Sequence, residues 1–143
     1  DTLPLIKKNY IDTGKVRLIY RDYPLGGLAL AAAMMARCAD PKRYFGFIDL
    51  LFRNQEIWSK SDNPRAELAR IALFGGMGEK EFNACLKNQP LMDAIRFRAE
   101  ADGNIHGIDS TPTFIIEGKK LSGAYPFDQF KKIIDDALNT KGY

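Results

Sequence analysis

Two cysteines, one histidine and one tryptophan are all that this 143-residue chain holds of those types, and their scarcity excludes several chemistries. A metal site needs more companions than His106 has, and a nucleophilic triad needs a reactive Ser or Cys where Ser110 shows no evident activation. Charge of one sign is also in short supply. The net +3 comes from dispersed lysines, Lys7, Lys8, Lys119, Lys120, Lys131 and Lys132 among them, which read as solvated faces rather than a phosphate-tracking stripe. Neither nucleic acid, nor a metal, nor a cofactor is expected as a partner. Long apolar runs are missing too: the longest, Leu28 to Ala36, is far too short to cross a bilayer. No basic segment followed by an apolar run opens the chain, so no export signal is legible.

What is present is an ordinary globular composition, 45% hydrophobic and 27% charged, in a length that suits one domain. "DTLPLIKKNYIDTGK" sets Leu3, Ile6 and Tyr10 on one helical face with Gly14 as a cap, so the chain is expected to open inside or just before a helix. "KVRLIYRDY" alternates and is rich in β-branched and aromatic residues, which predicts a strand over Val16 to Arg21. The helical period then governs about half the chain. Its segments begin with the all-apolar stretch from Leu28, continue with Tyr44, Ile48, Leu51 and Phe52 on one face, and run through Leu68, Ile71 and Ala72, stopped by Gly75 and Gly76. Phe82, Cys85 and Leu86 mark a further helix, and Met92, Ile95 and Ala99 another. A strand is predicted at Thr113 to Glu117, a turn at Gly118-Lys119, a short strand around Leu121, and a last helix from Pro126 that buries Phe127, Phe130, Ile134 and Ala137. Strands on both sides of the helical block need each other, so the block reads as an insertion over a small sheet.

Two features carry candidate chemistry. The Thr111-Pro112 bond is either a trans proline that merely starts an edge strand, or a cis proline that turns the chain and leaves the Thr111 backbone open to pair with an extended peptide. Cys38, at a helix end, and Cys85, on an apolar helix face, form no Cys-x-x-Cys; spacing alone leaves two buried free thiols or one bridge as alternatives. His106 reads as a loop histidine, bordering the Thr111-Pro112 region at most. Trp58 and the cluster Tyr44, Phe45 and Phe47 read as packing residues.

"GIDSTPTFIIEGKKLSGAYPFDQF", with "VRLIYRDYPLGGLALAAAMMARC" and "EKEFNACL", resembles the DsbA-like thiol-disulfide oxidoreductases, particularly their bacterial periplasmic branch. The resemblance implies an α/β, thioredoxin-like fold with an inserted helical domain: a single domain whose residues 1–25 and 105–143 form the thioredoxin-like part and 26–104 the insertion. It also implies that the first strand and the start of the first helix are missing, so that the catalytic Cys-x-x-Cys is expected upstream of Asp1 and no residue of this chain is catalytic. Ser110, Thr111 and Pro112 would then shape the substrate groove, with the proline cis. Cys38 and Cys85 would form a structural disulfide, their Cα atoms within about 7 Å.

The same resemblance implies cysteine-containing protein substrates, a redox partner protein, and a periplasmic or otherwise exported location. Two other readings stand beside it: a glutathione-dependent isomerase or transferase of the same fold, and a non-catalytic peptide-binding module. Without its first strand the sheet is expected to hold a slot about 9.6 Å wide, two strand spacings, between Val16–Arg21 and Thr113–Glu117. Direct pairing of those two strands, or strand exchange into a dimer, is expected to close it.

Overall fold

The structure is a computed structural model that describes residues 2–141. The chain separates into two compact units, one made of the residues up to Arg21 and from Ala101 onward, the other of Asp22–Glu100.

In the first unit, helix α1 (Thr2–Ile6) continues into a π-helical turn (Lys7–Ile11). Gly14, at φ 74°, ends it in the left-handed conformation a glycine adopts without strain. Strand β1 (Thr113–Ile116) pairs antiparallel with β2 (Lys119–Ser122), and helix α8 (Phe127–Lys141) closes the unit. The hairpin turns on two residues, Glu117 and Gly118, both at positive φ (47° and 81°). The turn therefore falls one residue earlier than the Gly118-Lys119 expected, and Lys119 belongs to β2. One face of α1 and its continuation buries Ile6 and Tyr10 against Phe130 and Ile134 of α8. Phe114 of β1 meets the Phe130 ring edge-on, centroids 4.7 Å apart.

The expected strand over Val16–Arg21 is not formed. Lys15 and Val16 both donate backbone hydrogen bonds to Tyr10 O, and residues 16–21 carry no ladder. β1 pairs with β2 alone, so the expected direct pairing across the slot does not occur among the described residues. A strand needs a neighbour to satisfy its backbone, and alternation in the sequence cannot supply one. Val16 still packs on the same cluster as Phe114 and Ile116, while Leu18 and Ile19 are exposed.

The second unit is helical. It comprises α2 (Gly27–Cys38), a 3-10 turn (Pro41–Arg43), α3 (Tyr44–Arg53), α4 (Gln55–Lys60), α5 (Pro64–Phe74), α6 (Glu79–Leu86) and the start of α7 (Gln89–His106). Pro41 and Pro64 sit at helix starts, where a missing N–H costs nothing, and Asp40 and Asn63 cap them through Lys42 N and Ala66 N. Leu30, Met34, Cys85 and Ile95 form one buried cluster. On α3 the buried face holds Phe47, Ile48 and Leu51, whereas Phe52, expected inside, is 57% exposed. Trp58 is buried and donates its indole N–H to Leu51 O at 2.8 Å. Asp22 is the buried charge of this unit, bound by Arg37 Nε at 2.6 Å.

Candidate functional site

The candidate peptide site begins where α7 ends. Gly107, at φ 59°, leaves the helix in the left-handed region, and Ile108 N donates to Gly103 O, the six-to-one bond that satisfies a terminal carbonyl. His106, expected in a loop, is the last residue of α7 and is exposed. The chain then runs through Asp109, Ser110, Thr111 and Pro112 into β1, and the last three are all exposed. The Thr111-Pro112 peptide is cis.

Several bonds hold this loop. Lys120 Nζ donates to Gly107 O at 2.7 Å, Thr113 Oγ1 donates to Ser110 O at 2.6 Å, and Gly123 N donates to Pro112 O at 2.7 Å. Sequence reasoning missed Lys120 and Gly123 as supports. The hairpin register was the available signal, since it places Lys120 opposite Ile115 and brings Gly123 level with Pro112.

That register also fixes which backbone groups face outward. Hydrogen-bonded pairs alternate along an antiparallel ladder, and with Gly123 bonded to Pro112, the residues that exchange bonds with β2 are Phe114 and Ile116. Thr113 and Ile115 therefore turn their N–H and C=O groups to the opposite edge. Among the described residues no strand lies along that edge. It is the edge on which the first strand implied by the resemblance would pair.

The two cysteines lie in the helical unit, each in the last turn of its own helix. Cys38 ends α2 and Cys85 lies inside α6, and they are joined by a disulfide with Cα atoms 6.0 Å apart. Cys38 is exposed and Cys85 buried. No group of three or more His, Cys, Asp or Glu residues that could hold a metal occurs among the described residues, and no described helix is long and apolar enough to cross a membrane.

An antiparallel hairpin backed by a terminal helix, entered through an exposed Thr-Pro loop and interrupted in sequence by a helical unit, defines a thioredoxin-like protein. A family model described as Thioredoxin matches residues 1–136. The chain belongs to the thioredoxin family, among its DsbA-like members. It is similar to a Rickettsia felis protein named as a protein-disulfide oxidoreductase, 29% identical over 136 residues that make up 94% of this chain and 49% of the relative. A Rickettsia prowazekii protein of the same designation is 28% identical over 95% of this chain and 50% of its own length. The chain thus spans about half the length of these curated relatives. Among solved structures, Wolbachia pipientis alpha-DsbA1 superposes with a TM-score of 0.88 and 29% identity, covering 98% of this chain and 77% of that one. A protein-disulfide isomerase from Novosphingobium aromaticivorans shares the fold at a TM-score of 0.70 and 21% identity, over 96% of this chain and 82% of its own.

Proposed function

We propose that this chain is part of a DsbA-like protein thiol-disulfide oxidoreductase and supplies the surface that holds the substrate peptide. The observation that carries the reading is the run of exposed residues Ser110, Thr111 and Pro112 at the mouth of β1, held in place by Thr113, Lys120 and Gly123. An extended segment laid against this loop pairs with the Thr111 backbone by strand addition, and the Thr113–Ile116 edge is left to the first strand expected upstream. Main-chain pairing tolerates many sequences, as an enzyme acting on diverse cysteine-containing proteins requires. Where the first strand is absent, its edge of β1 accepts a strand from a second copy of the chain.

The chemistry needs a thiolate, which a helix N-terminus stabilises through its free N–H groups and dipole. Cys38 sits at the opposite end of a helix and Cys85 is buried, so neither suits the role. We assign the exchanging dithiol to a Cys-x-x-Cys outside these 143 residues. In the oxidising direction a substrate thiolate attacks one sulfur of that disulfide, forming a mixed disulfide and releasing the other sulfur as thiolate. The second substrate thiolate then displaces the enzyme, leaving the substrate oxidised and the dithiol reduced. A redox partner protein restores the disulfide, in the oxidising setting of the periplasm or another exported location.

Titration of the isotope-labelled chain with an extended, cysteine-containing peptide tests the groove. Amide resonances of Ser110 and Thr111 are expected to shift, and shifts confined to the helical unit would overturn the reading.

A further inference from the structure

Both half-cystines of the Cys38–Cys85 bridge line a cavity of about 420 Å³ inside the helical unit, within the size range of small-molecule sites. The same cavity is lined by a cation, Arg43, and two carboxylates, Asp40 and Glu81. Arg43 Nη1 donates to Gly75 O at 3.0 Å, and Glu81 Oε2 accepts from Gly78 N at 3.0 Å, so both charges are held in place. A visitor carrying an ammonium and a carboxylate meets a partner for each.

The two sulfurs are not equivalent. Thiol-disulfide exchange requires the nucleophile to reach one sulfur while the other leaves. Cys38 is exposed, whereas Cys85 is 4% exposed and packed with Leu30, Met34 and Ile95. Attack is thereby confined to Cys38, and Cys85 is the leaving group. Its Sγ lies 3.2 Å from Met34 O. Once protonated, the Cys85 thiol donates to that carbonyl, and no anion has to persist in the apolar cluster.

We propose that Cys38 is a site of S-thiolation by low-molecular-weight zwitterionic aminothiols, the class of cysteine and glutathione. The incoming thiolate attacks Cys38 Sγ, the Cys38–Cys85 bond breaks, a mixed disulfide forms on Cys38, and Cys85 leaves as thiolate and takes up the proton the aminothiol lost. One disulfide is consumed and one is made, so no further oxidant or reductant enters. The modification releases the end of α2 from α6, and it makes the helical unit responsive to the thiol pool independently of any Cys-x-x-Cys.

The test incubates the oxidised chain with excess reduced glutathione at mildly alkaline pH, quenches with acid, alkylates free thiols and maps both cysteines by mass spectrometry. The expected result is glutathione on Cys38 and the alkylating label on Cys85. Rates with glutathione and with uncharged 2-mercaptoethanol are compared with the same two rates on an unstructured cystine peptide. The ratio of glutathione to 2-mercaptoethanol is expected to be higher for the protein, and to fall toward the peptide's value in Glu81→Gln, whose amide keeps the acceptor for Gly78 N. Glutathione on Cys85, or none on either cysteine, overturns the site. A ratio equal to the peptide's in the wild-type chain overturns the selection by the cavity.

Discussion

The Tyr10 hydroxyl donates a 2.7 Å hydrogen bond to Asp135 Oδ1, joining residues 125 positions apart and pinning the turn after α1 to α8. Lys131 holds the other carboxylate oxygen at 2.5 Å. Burial, then the bond and charge of Asp135, raise the Tyr10 pKa from 10.0 to about 12. Lys131 first, and Tyr10 second, lower that of Asp135 from 3.8. A raised tyrosine contributes stability that is complete below pH 10 and is lost as pH climbs toward 12. A lowered aspartate contributes stability that is present above 3.8 and is lost as pH falls through and below that value. Tyr10→Phe is therefore expected to cost about 1–2 kcal/mol at neutral pH. In urea unfolding across pH, the gap between wild type and variant should narrow between pH 10 and about 12, and again in acid. A gap independent of pH would count against the bond.

A second prediction concerns Asp22. Its side chain is 8% exposed, takes Arg37 Nε at 2.6 Å, and lies 3.5 Å from the Tyr44 hydroxyl, while the Arg37 guanidinium stacks 4.4 Å from the Tyr44 ring centroid. Removing one partner leaves the other charge without compensation in a mostly dry setting. Asp22→Ala should destabilise the helical unit by about 2–3 kcal/mol, with Arg37→Ala similar and the double variant costing less than the sum. Additive losses in chemical denaturation would show that the pair is not coupled.

Gly75 gives a third. A Cβ built there lies 2.4 Å from Phe47 Cζ, and Phe47 is itself 2% exposed, so the ring cannot step aside into solvent. Gly75→Ala is expected to cost about 1–3 kcal/mol by overpacking, measured as a fall in the denaturation midpoint, and Phe47→Leu should relieve part of that loss.

These contacts show where the sequence was legible and where it was not. Helix faces were: Phe82 and Cys85, or Phe130 and Ile134, repeat at a spacing that only one side of a helix satisfies. Faces near helix ends slipped, since Leu3 is 50% exposed while Ile6 and Tyr10 are buried, and Phe52 points out while Phe47 points in. Both errors chose among adjacent apolar residues, and burial there depends on neighbouring helices that periodicity does not know. Val16–Arg21 fails for a stronger reason: a ladder belongs to a pair of segments, so local alternation is necessary and never sufficient. The Cys38–Cys85 bridge was likewise invisible to spacing, which left free thiols equally open; only the meeting of α2 and α6 settles it. The assignment of Ser110, Thr111 and Pro112 to a groove came from resemblance, and which edge of β1 stays unpaired emerged only from its register on β2.

The bridge closes a loop with a sequence separation of 47. In the chain-entropy model a loop of this length contributes roughly 4 kcal/mol, an upper figure because residual structure in the unfolded chain subtracts from it. The Cys38→Ala/Cys85→Ala variant should lose a large part of that in denaturant unfolding, and should leave peptide binding at Thr111 intact. Equal stability of the two proteins would show that the unfolded helical unit is already compact.

The edge of β1 permits a sharper experiment, because neighbouring positions on one short strand answer differently to the same substitution. Ile115 turns its N–H away from β2, so Ile115→Pro removes a donor from the open edge and leaves the β1–β2 ladder its bonds. Phe114 donates into the ladder and packs on Phe130, so Phe114→Pro breaks the hairpin. A peptide held by Ser110 and Thr111 leaves the Ile115 edge to the first strand, so Ile115→Pro should keep its affinity with little change in unfolding midpoint. Phe114→Pro should lose both binding and stability. Calorimetric titration with the same peptide reads the first effect and urea unfolding the second. A loss of about tenfold, the worth of one hydrogen bond of about 1.4 kcal/mol, would place the bound peptide on the β1 edge, in the first strand's position.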